Sequence, residues 1–290
     1  VKMKIPDIDL DISNLFYQNH NLGKLSANLH QEQDNLYLKN GTLTSNDFAV
    51  NFSGTNYCFG CAGGDSYVNF IANADVYNLG NIIYNLDFGR TLNNGKGNAN
   101  ITLQWNGGFQ DFKILQTVGV FHGEFTSGKF LQVNPGVFGT LFSIINLQGL
   151  FEFGSGDVGD IFRKGFFFNS MEMDLSILTS RVEMKNFEMV GPMAQVNSLG
   201  ILDFANNTVN AEFSITPHVG FAVALAAGVA TLNPLIGVAV YGAEMLSGSA
   251  QNKLLAQHYH VKGNMKKPVV EKNDVTDSIL RNMNSTVGLK

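Results

Sequence analysis

Asn98-Ala99-Asn100-Ile101-Thr102-Leu103-Gln104-Trp105 decides the reading of this chain. Apolar and polar side chains alternate strictly over the eight positions. Successive side chains of a strand point to opposite faces, so this is a strand with one apolar face and one face of Asn, Thr and Gln. The pattern repeats on both sides of it. Toward the N-terminus Leu25, Ala27 and Leu29 alternate with polar neighbours, as do Phe48, Val50 and Phe52, and Val68, Phe70, Ala72 and Ala74. Toward the C-terminus the apolar members are Phe121 and Phe125, then Met171, Met173, Leu175 and Ile177, then Val209, Ala211, Phe213 and Ile215, then Tyr259 and Val261.

Turn signals separate these segments: Lys39-Asn40-Gly41, Asn93-Asn94-Gly95, Asn106-Gly107-Gly108 and Asn206-Asn207. A dozen or more half-apolar strands joined by short turns predict an antiparallel, hairpin-built sheet. A parallel sheet buried on both faces would show continuous apolar runs instead. The apolar face has three closures open to it: a two-sheet sandwich, a closed barrel, or a folded sheet with a groove inside. Periodicity does not choose among them. Helical spacing marks short helices at about 75–86 and 138–150, with one more turn at 157–162. Residues 219–246 are apolar up to Glu244, and Pro234 breaks them into two halves, each too short to span a bilayer alone. They read as a broken helical pair, with one spanning helix or a helix packed over the sheet's apolar face as the alternatives.

Composition removes several function classes. The 290 residues carry 19 basic and 24 acidic side chains, a net charge of −5, which argues against a phosphate-tracking nucleic-acid protein. Charged residues are 15% and apolar ones 44%, which excludes a disordered acidic tail. The 23 Phe and 31 Gly suit a large β-structure with a greasy face. Cys58 and Cys61 have no second pair and no nearby His, so a zinc site lacks ligands and no metal is expected there. They read as a turn disulfide or two idle thiols. Gly154-Ser155-Gly156-Asp157-Val158-Gly159 fits a dinucleotide fingerprint, but too few residues follow it for a crossover helix, so it reads as a turn. His258 and His260 beside Lys262, and Asp7, Asp9 and Asp11, read as solvated strand faces. No acid/base pair, nucleophile or cofactor motif stands out, and no catalytic residue is assigned.

The order of elements is similar to that of a known family. IPDIDL at 5–10 followed by LGKL at 22–25 resembles its entry strands. GKFLQVNPG at 128–136, LFSIINLQ at 141–148 and FRKGFFF at 162–168 are similar to its strand-and-turn, helix and following strand. VGPMAQV at 190–196, ITPHVG at 215–220, and VKGN at 261–264 leading to KPVVE at 267–271 complete the likeness. The chain resembles the C-terminal part of the YhdP proteins, AsmA-like proteins of the bacterial envelope. The Cys58/Cys61 turn, the Gly-rich stretch at 154–160 and the tail after Glu271 depart from the pattern.

The resemblance implies a long folded sheet with a hydrophobic groove at 1–217, an apolar helical region at 218–256, a final strand at 257–271 and a polar tail at 272–290. It implies a body in the periplasm, an inner-membrane anchor missing at the N-terminus, contact with the outer membrane at the C-terminal end, and passive conduction of phospholipid between the two membranes. The groove lining expected on this basis is Leu25, Leu29, Phe48, Val50, Phe52, Val68, Phe70, Ile101, Leu103, Trp105, Phe121, Phe125, Met171, Met173, Leu175 and Phe213. The helical pair would cover the groove's end or dip into a leaflet, with Phe221, Leu225, Leu232, Leu235 and Ile236 as membrane contacts. The rival reading is a structural or adhesive β-sandwich in which the same residues form a dry core. An outer-membrane barrel fits less well, because several strands are short for one.

Overall fold

The computed structural model describes residues 5–17, 19–58, 66–86, 89–131, 166–192, 194–218 and 257–273. Its strands are β1 (Ile8–Tyr17), β2 (His20–Glu32), β3 (Asn35–Thr44), β4 (Phe48–Tyr57), β5 (Tyr67–Val76), β6 (Leu92–Asn106) and β7 (Val118–Phe130). They continue as β8 (Phe166–Leu178), β9 (Arg181–Val190), β10 (Ala194–Asp203), β11 (Thr208–Pro217), β12 (Gln257–Asn264) and β13 (Lys267–Asn273). One helix, α1 (Leu79–Asn85), joins β5 to β6, and two short 3-10 turns, Phe109–Asp111 and Ile114–Gln116, join β6 to β7.

Among the described residues, 13 strands form one sheet in chain order, β1 to β13, and every neighbouring pair is antiparallel. Sequence-adjacent pairing is what short connections allow. The two end strands do not pair with each other, so the sheet is open and not a closed barrel. At ~4.8 Å per neighbour its width across the strands is ~58 Å.

Two turn signals lie within strands. Asn40 and Gly41 are inside β3, where the β3–β4 register shifts between Leu38 and Gly41. Asn94 and Gly95 are inside β6, with φ of 58° and 91°. Asn and Gly tolerate left-handed backbone equally in a bulge and in a hairpin turn, so local sequence does not distinguish the two. Asn207, with φ 53°, does turn the β10–β11 hairpin, and Gly107, with φ 94°, follows the end of β6. The expected helix at 75–86 is shorter, because Asp75 and Val76 complete β5. Asn78 sets its start: its side-chain oxygen accepts from the Asn81 N–H at 3.1 Å, a normal N-cap. The stretch 257–271, read as one final strand, is the β12–β13 hairpin turning at Met265 and Lys266. The expected helices at 138–150, at 157–162 and within 219–246 lie outside the described residues. Among the described residues no helix is long and apolar enough to cross a membrane.

The hairpin ends along one long edge are tied to each other. Ser180 donates from its backbone N–H and hydroxyl to the Leu115 carbonyl, at 2.9 and 3.1 Å. The Phe204 N–H donates to the Ser180 carbonyl at 2.8 Å, and the Met265 N–H to that of Asn207 at 3.0 Å. Asp203 anchors the β10–β11 turn, accepting from the Asn206 N–H at 3.0 Å, from its side-chain amide at 2.9 Å and from Arg181 at 2.9 Å. These bonds, the two from Asn206 foremost, hold the Asp203 carboxyl below the usual carboxylate range. A depressed folded-state value stabilises the fold above the unfolded pKa, and that stabilisation is lost as pH falls through the folded value. Asp203→Asn is therefore expected to lower Tm at neutral pH and to flatten the acid limb of a Tm-versus-pH series. An unchanged acid limb would remove Asp203 from the account.

Candidate functional site

Register places the apolar side chains of successive strands beside one another. One row runs Ile12, Leu25, Leu43, Val50, Ala74, Ala99, Gly123, Met173, Phe187, Ser198, Phe213 and Tyr259, crossing β1 to β12. Its polar member is neutralised, because the Ser198 hydroxyl donates to the Glu212 carbonyl at 2.8 Å. The next row runs Gly41, Phe52, Ala72, Ile101, Phe121, Leu175, Met184, Gly200, Ala211, Val261 and Val270, crossing β3 to β13. The rows lie perpendicular to the strands, so the apolar wall is continuous along the long axis of the sheet. The 16 side chains expected as lining all stand on this one face.

The wall is not uniformly covered. At β1, Ile8 and Ile12 are 37% and 38% exposed. Leu25, Leu29, Val50, Phe52 and Phe121 are half-buried. Toward β12 the wall is buried, with Met189, Val196 and Val261 at 0% exposure. Small residues keep the middle of the first row low: Ala74, Ala99 and Gly123 are consecutive partners across β5, β6 and β7. Gly97 is obligatory beside them, because a Cβ there would stand 1.8 Å from the Glu124 carbonyl oxygen.

Two elements cap the wall. Leu79, Ile82 and Ile83 of α1 pack against the cluster that contains Val76 and Leu92. Phe109, from the β6–β7 connection, packs against the cluster of Val68, Leu103, Trp105 and Ile177, as Phe70 and Ile101 do. The Trp105 indole N–H donates to the Gly108 carbonyl at 2.8 Å, and its ring meets Phe112 edge-on at 5.1 Å. Phe70, Leu103 and Trp105 therefore line a stretch that already carries a protein cover. Alternation locates the face of a residue, and nothing in it announces that a distant loop will fold over that face.

A buried amide also interrupts the wall. Asn56 is 1% exposed and stands in register between Leu36 and Val68. Its Oδ1 accepts from the Ser66 hydroxyl at 2.7 Å, while its amide Nδ2 has no hydrogen-bond partner. Phe187, Met189 and Val196, which belong to the wall, were absent from the expected lining. Phe187-Glu188-Met189 does alternate, but Met184, Lys185 and Asn186 before it are thrown out of phase by the shift at Asp174/Leu175. Cys58 is disulfide-bonded, and its N–H donates to Asn35 Oδ1 at 3.2 Å. Cys61 and the expected membrane contacts Phe221, Leu225, Leu232, Leu235 and Ile236 lie outside the described residues.

The opposite face is polar. Asp7, Asp9 and Asp11 reach His30, Asn28 and Lys24 of β2, and His260 reaches Asn210 at 2.6 Å. Each is an exposed cross-strand pair, which suits a solvated face.

Comparison with known proteins agrees with this geometry. The family model of the YhdP protein matches residues 2–270. A protein of Escherichia coli (strain K12) named intermembrane phospholipid transporter YhdP is 25% identical over 152 residues, which cover 52% of this chain and 12% of that protein. The chain thus aligns with a small part of that relative's length. No solved structure matches it. With an open antiparallel sheet, the expected order of strands, and a family match over nearly all its residues, the chain belongs to the YhdP protein family.

Proposed function

We propose that this chain is one stretch of a passive phospholipid conduit between the inner and outer membranes of a Gram-negative envelope. The observation that carries the reading is the apolar row that crosses β1 to β12 without an unpaired polar group. An acyl chain needs such a lining, since each CH₂ left in water costs ~0.8 kcal/mol. A wall of many similar contacts and no deep pocket suits passage over retention, because a strong local site would slow exit. The headgroup stays in water at the mouth of the groove. The body sits in the periplasm, where a disulfide such as that of Cys58 persists. An inner-membrane anchor elsewhere in the longer protein and an outer-membrane contact toward the C-terminal end complete the path.

The burial of β8 to β12 favours a dry core for that part of the wall, as a structural β-protein would have. Photocrosslinking separates the two readings. A benzophenone side chain at Phe52 or Phe121, both half-buried on the wall, is expected to capture phospholipid in cells, and one at Asn100 on the opposite face is not. Equal capture at all three positions, or none at the wall, would leave the conduit without its physical basis.

A further inference from the structure

Behind the wall, on the polar face, β7, β8 and β9 bring acidic groups into register. Glu124 stands directly opposite Glu172, and Glu172 opposite Glu188. Like charges so placed destabilise a sheet. The nearby Lys185 is paired with Glu183 at 2.7 Å. In the adjacent row His122 stands opposite Asp174, with Nδ1 2.7 Å from Oδ1 and Nε2 3.3 Å from Glu124 Oε1.

Three features separate this place from an ordinary acidic patch. It offers an imidazole nitrogen as well as carboxylates. One ligand atom each from His122, Glu172 and Asp174 lies within 4.8 Å of the others, the dimension of a single coordination sphere. An open cavity of about 340 Å³ lies beside it, with His122 and Asp174 in its wall; Lys185 also lines this cavity, and Glu172 does not. The aspartates on β1 form no such convergence.

We propose that His122, Glu172 and Asp174 bind a divalent transition-metal ion, with Zn²⁺ the best fit, and that the cavity leaves its remaining coordination positions to water. One nitrogen and two carboxylate donors suit zinc, whereas calcium and magnesium prefer oxygen alone. Asn186 is placed to orient both carboxylates, its amide 3.5 Å from Glu172 and 3.3 Å from Asp174. Orienting partners of this kind are a regular part of metal sites. The ion would clip β7 to β8 directly behind Phe121 and Leu175, which form a cross-strand pair on the wall. The site does not depend on what the wall carries.

The test uses the tag-free chain, stripped with EDTA and titrated with ZnCl₂ by calorimetry and in thermal melts. One zinc per chain and a raised Tm are expected. His122→Gln and Glu172→Gln should each weaken binding about tenfold or more. Glu172→Gln also removes a like charge, so its metal-free Tm should not fall, which separates a lost ligand from a damaged fold. His260→Gln, on the same face, should bind as the unaltered chain does. No saturable binding at micromolar zinc, or binding that survives both ligand substitutions, would overturn the site and mark any zinc as adventitious.

Discussion

Phe168→Ala is expected to cost ~3–5 kcal/mol of stability, while Phe167→Ala, one residue earlier, should cost less than about 1 kcal/mol. The two rings are neighbours in sequence on opposite faces of β8. Phe168 is 2% exposed, packs on Phe130 at 5.5 Å between ring centroids, and lies over Gly128, where a Cβ would meet its ring at 2.1 Å. No side chain from Gly128 can fill the space that its loss would leave. Phe167 is 51% exposed and contacts the Lys129 ammonium 4.7 Å from its ring centre. An exposed cation–π contact contributes well under the value of a buried ring. Urea unfolding of the two variants side by side gives the comparison. Equal losses would mean that β8 does not present one buried and one solvated face.

Ala99→Trp is expected to obstruct lipid passage while leaving the sheet folded. Ala99 is half-buried between Ala74 and Gly123, the lowest part of the row. An indole there would stand into the lane. Forcing about four methylenes of a passing acyl chain into water would add ~3 kcal/mol to the barrier, a slowing of about a hundredfold. Contacts between neighbouring strands would persist, because the new ring points away from the backbone ladder. Photocrosslinks to phospholipid should then fall on one side of position 99 relative to the other, comparing Phe52 with Met173. Val120→Trp, on the opposite face at a position 56% exposed, serves as the matched control. Loss of capture on both sides with both variants would point to general damage, and unchanged capture with Ala99→Trp would mean that lipid does not run along this row.

The second expectation rests on knowing which side chains share a face, and that much was legible in the sequence; the faces of Phe167 and Phe168, in a run of three Phe without alternation, were decided by the structure. Alternation alone puts Phe70 and Leu103 on one side and Asn69 and Asn100 on the other, and the register agrees, pairing Phe70 with Leu103, Asn69 with Gln104 and Asn73 with Asn100. Alternation is local: one residue's direction follows from its neighbour's. The errors occur where that regularity is interrupted. Asn40 and Asn94 were read as turn residues and belong to irregular positions inside β3 and β6, because left-handed backbone has the same composition in both settings. Phe187 and Met189 were not assigned to the wall, because a register shift against β8 puts them out of phase with Met184.

By itself the sequence determined that the chain is a hairpin-built antiparallel sheet and which face each alternating segment presents, since period-two patterning and short connections act over a few residues. The tertiary structure alone decided that the sheet stays open at β1 and β13, that Phe109 covers Leu103 and Trp105, and that the wall passes from exposed Ile12 to buried Val261. It alone brought His122 to Asp174, which lies 52 residues away in sequence. Closure, covering and convergence depend on twist and bulges summed over many strands and on contacts between distant segments, and no short stretch of sequence carries that sum.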